Sequence, residues 1–98
     1  MFKDNVDEIE LIIRYSRLVE KFFQKHLDIE NQFFKNLEAF YVEKERNVDI
    51  KRLKGTIIPQ YRMRIGNYRV IFTVNKEIIN VYYIFVEKAD SRGDIYKK

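Results

Sequence analysis

Cysteine is absent from the 98-residue chain, so no disulfide framework, thiolate metal site or cysteine nucleophile can exist. Histidine occurs once, at His26, which excludes a nuclease that divides acid and base work between two imidazoles. Long apolar runs are missing too. The longest, Val81–Val86, falls far short of the roughly 20 residues a membrane-spanning helix needs. The opening residues Met1–Glu8 have no apolar stretch of the kind that marks a secretory signal. A soluble, cytoplasmic protein with no membrane partner is therefore expected. No tight group of carboxylates stands at metal-binding spacing, so no metal and no other cofactor is expected. Linkers, internal repeats and low-complexity tracts are also lacking. The length suits one compact domain over 1–98, with residues 1–7 as a flexible N-terminal extension.

Hydrophobic residues make up 46% of the chain, enough for a single core, and Phe and Tyr supply all the aromatics. Charge is distributed unevenly. Residues 1–48 hold 8 Lys and Arg against 10 Asp and Glu, whereas residues 49–98 hold 11 against 5. The basic excess lies wholly in the second half, and it suggests an anionic partner there, with nucleic acid the first candidate.

The hydrophobic pattern changes period along the chain. Ile9, Leu11, Ile13 and Tyr15 alternate with polar residues, which predicts a half-buried strand over 8–16. Ser16 is placed to cap a helix from Arg17, with Leu18, Val19, Phe22, Phe23 and Leu27 at helical spacing. Asp28 is placed to cap a second helix, whose apolar stripe is Ile29, Phe33, Leu37, Phe40 and Tyr41. A connection through Ile50, Leu53 and Lys54-Gly55 leads past Pro59, the only proline. From Gln60 the period is two. Gly66-Asn67 breaks the alternation as a two-residue hairpin turn, type II′ with Gly66 at positive φ. Asn75-Lys76-Glu77 reads as the next turn, and Ile78–Lys88 as the last strand. The expected fold is α+β, β-α-α-β-β-β, with a helical hairpin packed on a mainly antiparallel sheet.

A two-residue turn fixes the register of the hairpin: Ile65 opposite Tyr68, Arg64 opposite Arg69, Met63 opposite Val70. One face is then apolar and must meet the helices. Among the residues expected to be buried are Phe22, Phe33, Leu37, Met63, Val70 and Phe72. The other face gathers Arg62, Arg64 and Arg69, expected to be exposed together. Like charges about 4–5 Å apart repel by roughly 1 to 4 kcal/mol, depending on the dielectric, and no acid within the hairpin offsets them. A bound polyanion would, and guanidinium forks suit phosphate. The alternative is that Glu10, Glu87 or Asp94 neutralises the patch. Further on, Arg92 and Tyr96 stand four apart, so they share a face on a helical turn or a strand.

These residues resemble the RelE/ParE superfamily of bacterial toxins. The likeness runs through Asp49-Ile50-Lys51-Arg52-Leu53-Lys54-Gly55, the Tyr61–Phe72 hairpin and Arg92-Gly93-Asp94-Ile95-Tyr96, about half the chain. The resemblance implies the toxin of a toxin–antitoxin pair, with a cognate protein antitoxin and a toxin–antitoxin hetero-oligomer. In its RelE branch it implies an endoribonuclease that cuts mRNA in the ribosomal A site, without metal, by attack of the ribose 2′-OH on the adjacent phosphate. Arg64, Arg69, Arg92 and Tyr96 would be the catalytic residues. Arg62, Lys51, Lys54 and Lys97 would hold RNA phosphate. Some active RelE toxins have lysines where this chain has Arg62 and Arg64, and arginine is a poor general base. An arginine that some members place six residues before the tyrosine is Asp90 here. The alternatives are a ParE-like protein that binds DNA gyrase without cleaving anything, and a degenerate toxin that acts only as an antitoxin-binding regulator.

Overall fold

The computed structural model describes residues 8–55 and 57–91. The N-terminal extension expected over 1–7, and the candidate site residues Arg92, Tyr96 and Lys97, lie outside the described residues. Strand β1 (Glu10–Tyr15) leads into helices α1 (Arg17–Lys25) and α2 (Leu27–Leu37), and strands β2 (Ile50–Arg52), β3 (Gln60–Ile65), β4 (Tyr68–Ile78) and β5 (Val81–Ser91) follow. The sheet order is β1-β5-β4-β3-β2. β1 runs parallel to β5, and all other neighbours are antiparallel. No helix among the described residues is long and apolar enough to cross a membrane.

Local sequence explains most of the boundaries. Ser16 caps α1 by accepting a hydrogen bond from the Val19 N–H at 3.2 Å, while its own hydroxyl donates to the Glu87 carbonyl at 3.0 Å. One side chain thus starts the helix and ties it to β5. The second helix begins two residues earlier than an Asp28 cap would set it. His26 stands between the two helices as both C-cap and N-cap, with Nδ1 2.9 Å from the Phe22 carbonyl and its ring stacked on Phe22. Asp28 lies in the first turn instead, where its charge complements the helix dipole. After Leu37 the helix widens into a π-turn over Glu38–Val42, closed by the Glu43 N–H on the Glu38 carbonyl at 3.0 Å. The widened turn buries Tyr41, whose ring centroid lies 5.0 Å from that of Tyr82.

Val19, Phe23, Phe33, Leu37 and Tyr41 from the helical layer meet Met63, Ile65, Val70, Phe72, Ile84 and Val86 from the sheet. Five of the six residues expected inside are fully buried, and Phe22 is half-buried. The β3–β4 register has Ile65 opposite Tyr68 and Met63 opposite Val70, as the Gly66-Asn67 turn requires. Gly66 has φ 58°, and Asn67 is not among the residues at positive φ, the combination of a type II′ turn.

Two features differ from expectation. Residues 50–52 form a fifth, edge strand rather than a plain connection. The last turn also moves. Asn75-Lys76-Glu77 stays inside β4, at an irregularity in the ladder, and the chain reverses at Ile79-Asn80 with Asn80 at φ 68°. An asparagine tolerates the left-handed region, so Asn80 serves the turn that Asn75 also suits, and the longer ladder decides between them.

The phenol of Tyr15 donates to a Glu30 carboxylate oxygen at 2.7 Å and so ties β1 to α2. Burial, this hydrogen bond and the Glu30 charge push the Tyr15 phenol well above its ordinary value of 10.0. Tyr41 is raised too, by burial first and then by Tyr61 and Tyr82. Above pH about 10 the unfolded chain releases these protons while the folded chain keeps them, so the stability they contribute declines as pH rises. Thermal melts between pH 9 and 11 should show this fall, and Tyr15→Phe should make it shallower.

Candidate functional site

The sheet face turned away from the helices carries the three arginines, and strand geometry dictates where each one sits. The Arg64 N–H donates to the Asp49 carbonyl at 3.0 Å, on the β2 side. Arg64 and Arg69 therefore form a non-hydrogen-bonded pair between β3 and β4, the closer of the two antiparallel pairings, with Cα atoms roughly 4.5 Å apart. Lys51 stands opposite Arg62 on the same face, from β2. Across β5, Asp90 faces Arg69.

Arg62 is not exposed. Its residue is 5% accessible, and its Nη2 donates to Asp49 Oδ1 at 3.1 Å. Its Nη1 is buried and has no hydrogen-bond partner among the described residues. An orphaned buried donor costs about 1–3 kcal/mol. Asp49 Oδ2 lies 3.5 Å from Arg64 Nε, so one carboxylate bridges both arginines of β3. Arg64 itself is exposed, with 44% of its side chain accessible. Among the described residues, the carboxylate paired with Arg62 and Arg64 is thus Asp49. Glu87 instead accepts from the Gln60 amide at 2.7 Å, Glu10 is registered against Val81 on β5, and Asp94 lies outside the described residues.

Sequence patterning does not pair Asp49 with the arginines, because it lies 13 residues before Arg62 and just ahead of a strand of only three residues. Its one visible signal was the short alternation Asp49, Ile50, Lys51. Lys54 sits apart from the arginines. It follows β2 at the Gln60 end of β3, roughly 13 Å along the strand from Arg64 at about 3.3 Å per residue. Among the described residues no group of three His, Asp or Glu side chains comes close enough to hold a metal ion.

At the opposite end of this face an apolar cleft of about 530 Å³ opens between the sheet and the connection before β3. Ile12, Tyr83 and Phe85 form its floor, Ile58 and Pro59 overhang it, and Arg14 lies at its rim. Ile58 is 65% exposed and Phe85 42%.

No protein-family model matches the sequence. No curated protein matches it either. Among solved structures, a chain in the crystal structure of a RelB-RelE antitoxin-toxin complex from Methanococcus jannaschii is similar, with 26% sequence identity and a TM-score of 0.56. The likeness covers 85% of this chain and 94% of that one. Two helices on one face of a five-stranded sheet, with a basic β3–β4 hairpin on the other, make this a RelE-like fold.

Proposed function

We propose that this chain is the toxin of a toxin–antitoxin pair and that it cleaves mRNA on the ribosome without a metal. The observation that carries the reading is the facing pair Arg64–Arg69 on the sheet face the helices leave open, in a fold shared with a chain of a RelB-RelE complex. Two guanidinium groups on closely paired strands can grip the non-bridging oxygens of one phosphate. The ribose 2′-OH gives up its proton to solvent as its oxygen attacks the adjacent phosphorus, the 5′-oxygen leaves, and a 2′,3′-cyclic phosphate remains. Charge on the phosphoryl oxygens grows in that transition state, where fixed cations act most strongly. Lys51, opposite Arg62 on the same face, extends the basic track along the strand. Arg92 and Tyr96 add a further phosphate contact and a proton donor for the leaving oxygen. Mapping of 5′ ends in translating mRNA after brief expression tests the reading. Cuts within codons support it. Intact mRNA with inhibited DNA gyrase would favour a gyrase-binding toxin, and the absence of both effects a purely regulatory one.

A cognate antitoxin silences the toxin in the same reading. The apolar cleft of Ile12, Ile58, Tyr83 and Phe85 offers that chain a seat on the sheet face that carries the arginines, at its other end, with Arg14 placed to meet an acidic residue. Ile58→Asp leaves the core untouched and should weaken antitoxin binding at least tenfold, about 1.4 kcal/mol. Titration calorimetry with the product of the adjoining reading frame measures it.

A further inference from the structure

We infer that Asp49 occupies, in the free protein, part of the anion site formed by Arg62 and Arg64, and so sets how strongly a phosphate must bind to be held there. The inference deepens the RNA reading and rests on it for the identity of the natural ligand. It does not rest on that reading for the existence of the site.

Three observations carry it. One carboxylate touches two arginines, at 3.1 Å to Arg62 Nη2 and 3.5 Å to Arg64 Nε. The two contacts are unequal in kind. Arg62 is fixed, with 7% of its side chain accessible, whereas Arg64 keeps 44% accessible and meets Asp49 through Nε alone. The terminal nitrogens of Arg64 are therefore the exchangeable arm, turned to an incoming anion while the carboxylate stays behind with Arg62. Finally, Arg62 Nη1 is buried without a partner among the described residues. A buried guanidinium normally satisfies its donors, so Arg62, with Nη1 orphaned, depends on its Asp49 contact, and that contact holds the carboxylate beside Arg64.

Asp49 cannot easily withdraw. Its carbonyl accepts from the Arg64 N–H at 3.0 Å, and the next residue, Ile50, is registered against Met63 beside the core. A phosphate held by Arg64 must then tolerate a negative charge a few ångströms away. A single small anion pays that repulsion in full with only one or two contacts to offset it. A strand with successive phosphates offsets it with contacts to Lys51, opposite Arg62 on the same face. The carboxylate therefore acts as a positioning and selectivity residue, favouring a polyanionic strand over free orthophosphate.

The test compares Asp49→Asn with the parent, using tripolyphosphate, which has no base or ribose, and orthophosphate as probes. Asparagine keeps an acceptor for Arg62 and removes the charge. Tripolyphosphate should bind roughly tenfold tighter, the effect of deleting one partly screened charge about 6 Å from the anion. Orthophosphate should gain by a larger factor, which narrows the gap between the probes. Asp49→Glu, which keeps the charge, should not gain. Unchanged or weaker binding by Asp49→Asn would mean that Asp49 serves only to balance Arg62, and the inference fails. If Asp49→Asn does not fold, NMR of the parent decides. Tripolyphosphate should shift the Arg64 Nε and Asp49 carboxyl-carbon signals together, and an unmoved Asp49 signal at saturation overturns the proposal. Tighter phosphate binding with translated mRNA left intact would uphold this inference and remove the RNA-cleaving reading. Cleaved mRNA with no gain in phosphate binding would do the reverse.

Discussion

Asp49→Ala is expected to destabilise the fold by about 1–3 kcal/mol, the cost of leaving a buried donor without its acceptor, since Arg62 is buried while Asp49 is partly in water. The change would strand the Arg62 guanidinium at 5% accessibility with neither of its terminal nitrogens bonded to a carboxylate. The cost lies less in the lost attraction than in the uncompensated buried charge. Arg64, being largely in water, should contribute little to the loss. A double variant separates the two. Arg62→Met with Asp49→Ala removes both charges and refills part of the volume, and should recover most of the stability. Urea unfolding at 25 °C measures all three proteins. A loss below about 1 kcal/mol for Asp49→Ala alone would show that the pair behaves as an exposed one.

The same pair shows where sequence patterning stops. Alternation assigned Arg62 to the face away from the helices, and the β3–β4 register places it there, opposite Ile71. Period two gives a side chain its direction but not its depth. Ile71, on that face too, is 5% accessible, so Arg62 and Ile71 are covered while Arg64, at the hairpin end of the same strand, is exposed. The hairpin was legible because Gly66-Asn67 determines turn type and register together, through local backbone preference. The turn between β4 and β5 was not, because Asn75 and Asn80 both carry turn chemistry and only the length of the paired ladder separates them. β2 escaped for a related reason. Three residues are too few for a period to register, yet they bring Asp49 and Lys51 beside the arginines. The π-turn after Leu37 likewise leaves the apolar stripe intact, since Phe40 and Tyr41 still reach the core.

Arg69→Ala and Arg64→Ala are each expected to lower mRNA cleavage on the ribosome by about 10²–10³-fold under the proposed function, the range found when one fixed donor to a developing oxyanion is removed. The two should differ in where the loss appears. Arg64 shares its guanidinium with Asp49, so part of its charge is already neutralised in the free protein. Its removal should act mainly on the transition state, where phosphoryl charge is greatest, and lower kcat with little change in KM. Arg64→Lys keeps the charge but loses the fork, and should recover only part of the rate. Tyr96 gives the complementary case. If its hydroxyl passes a proton to the leaving oxygen, Tyr96→Phe should slow cleavage while ribosome binding is kept, because the ring survives. If the ring only stacks on a base, Tyr96→Phe should be nearly neutral and Tyr96→Ala harmful. Single-turnover cleavage on programmed ribosomes, with binding measured separately, reads each of these. Parent-like rates in both Arg69→Ala and Tyr96→Phe would leave the facing arginines without a catalytic role and the cleavage mechanism without its two principal groups.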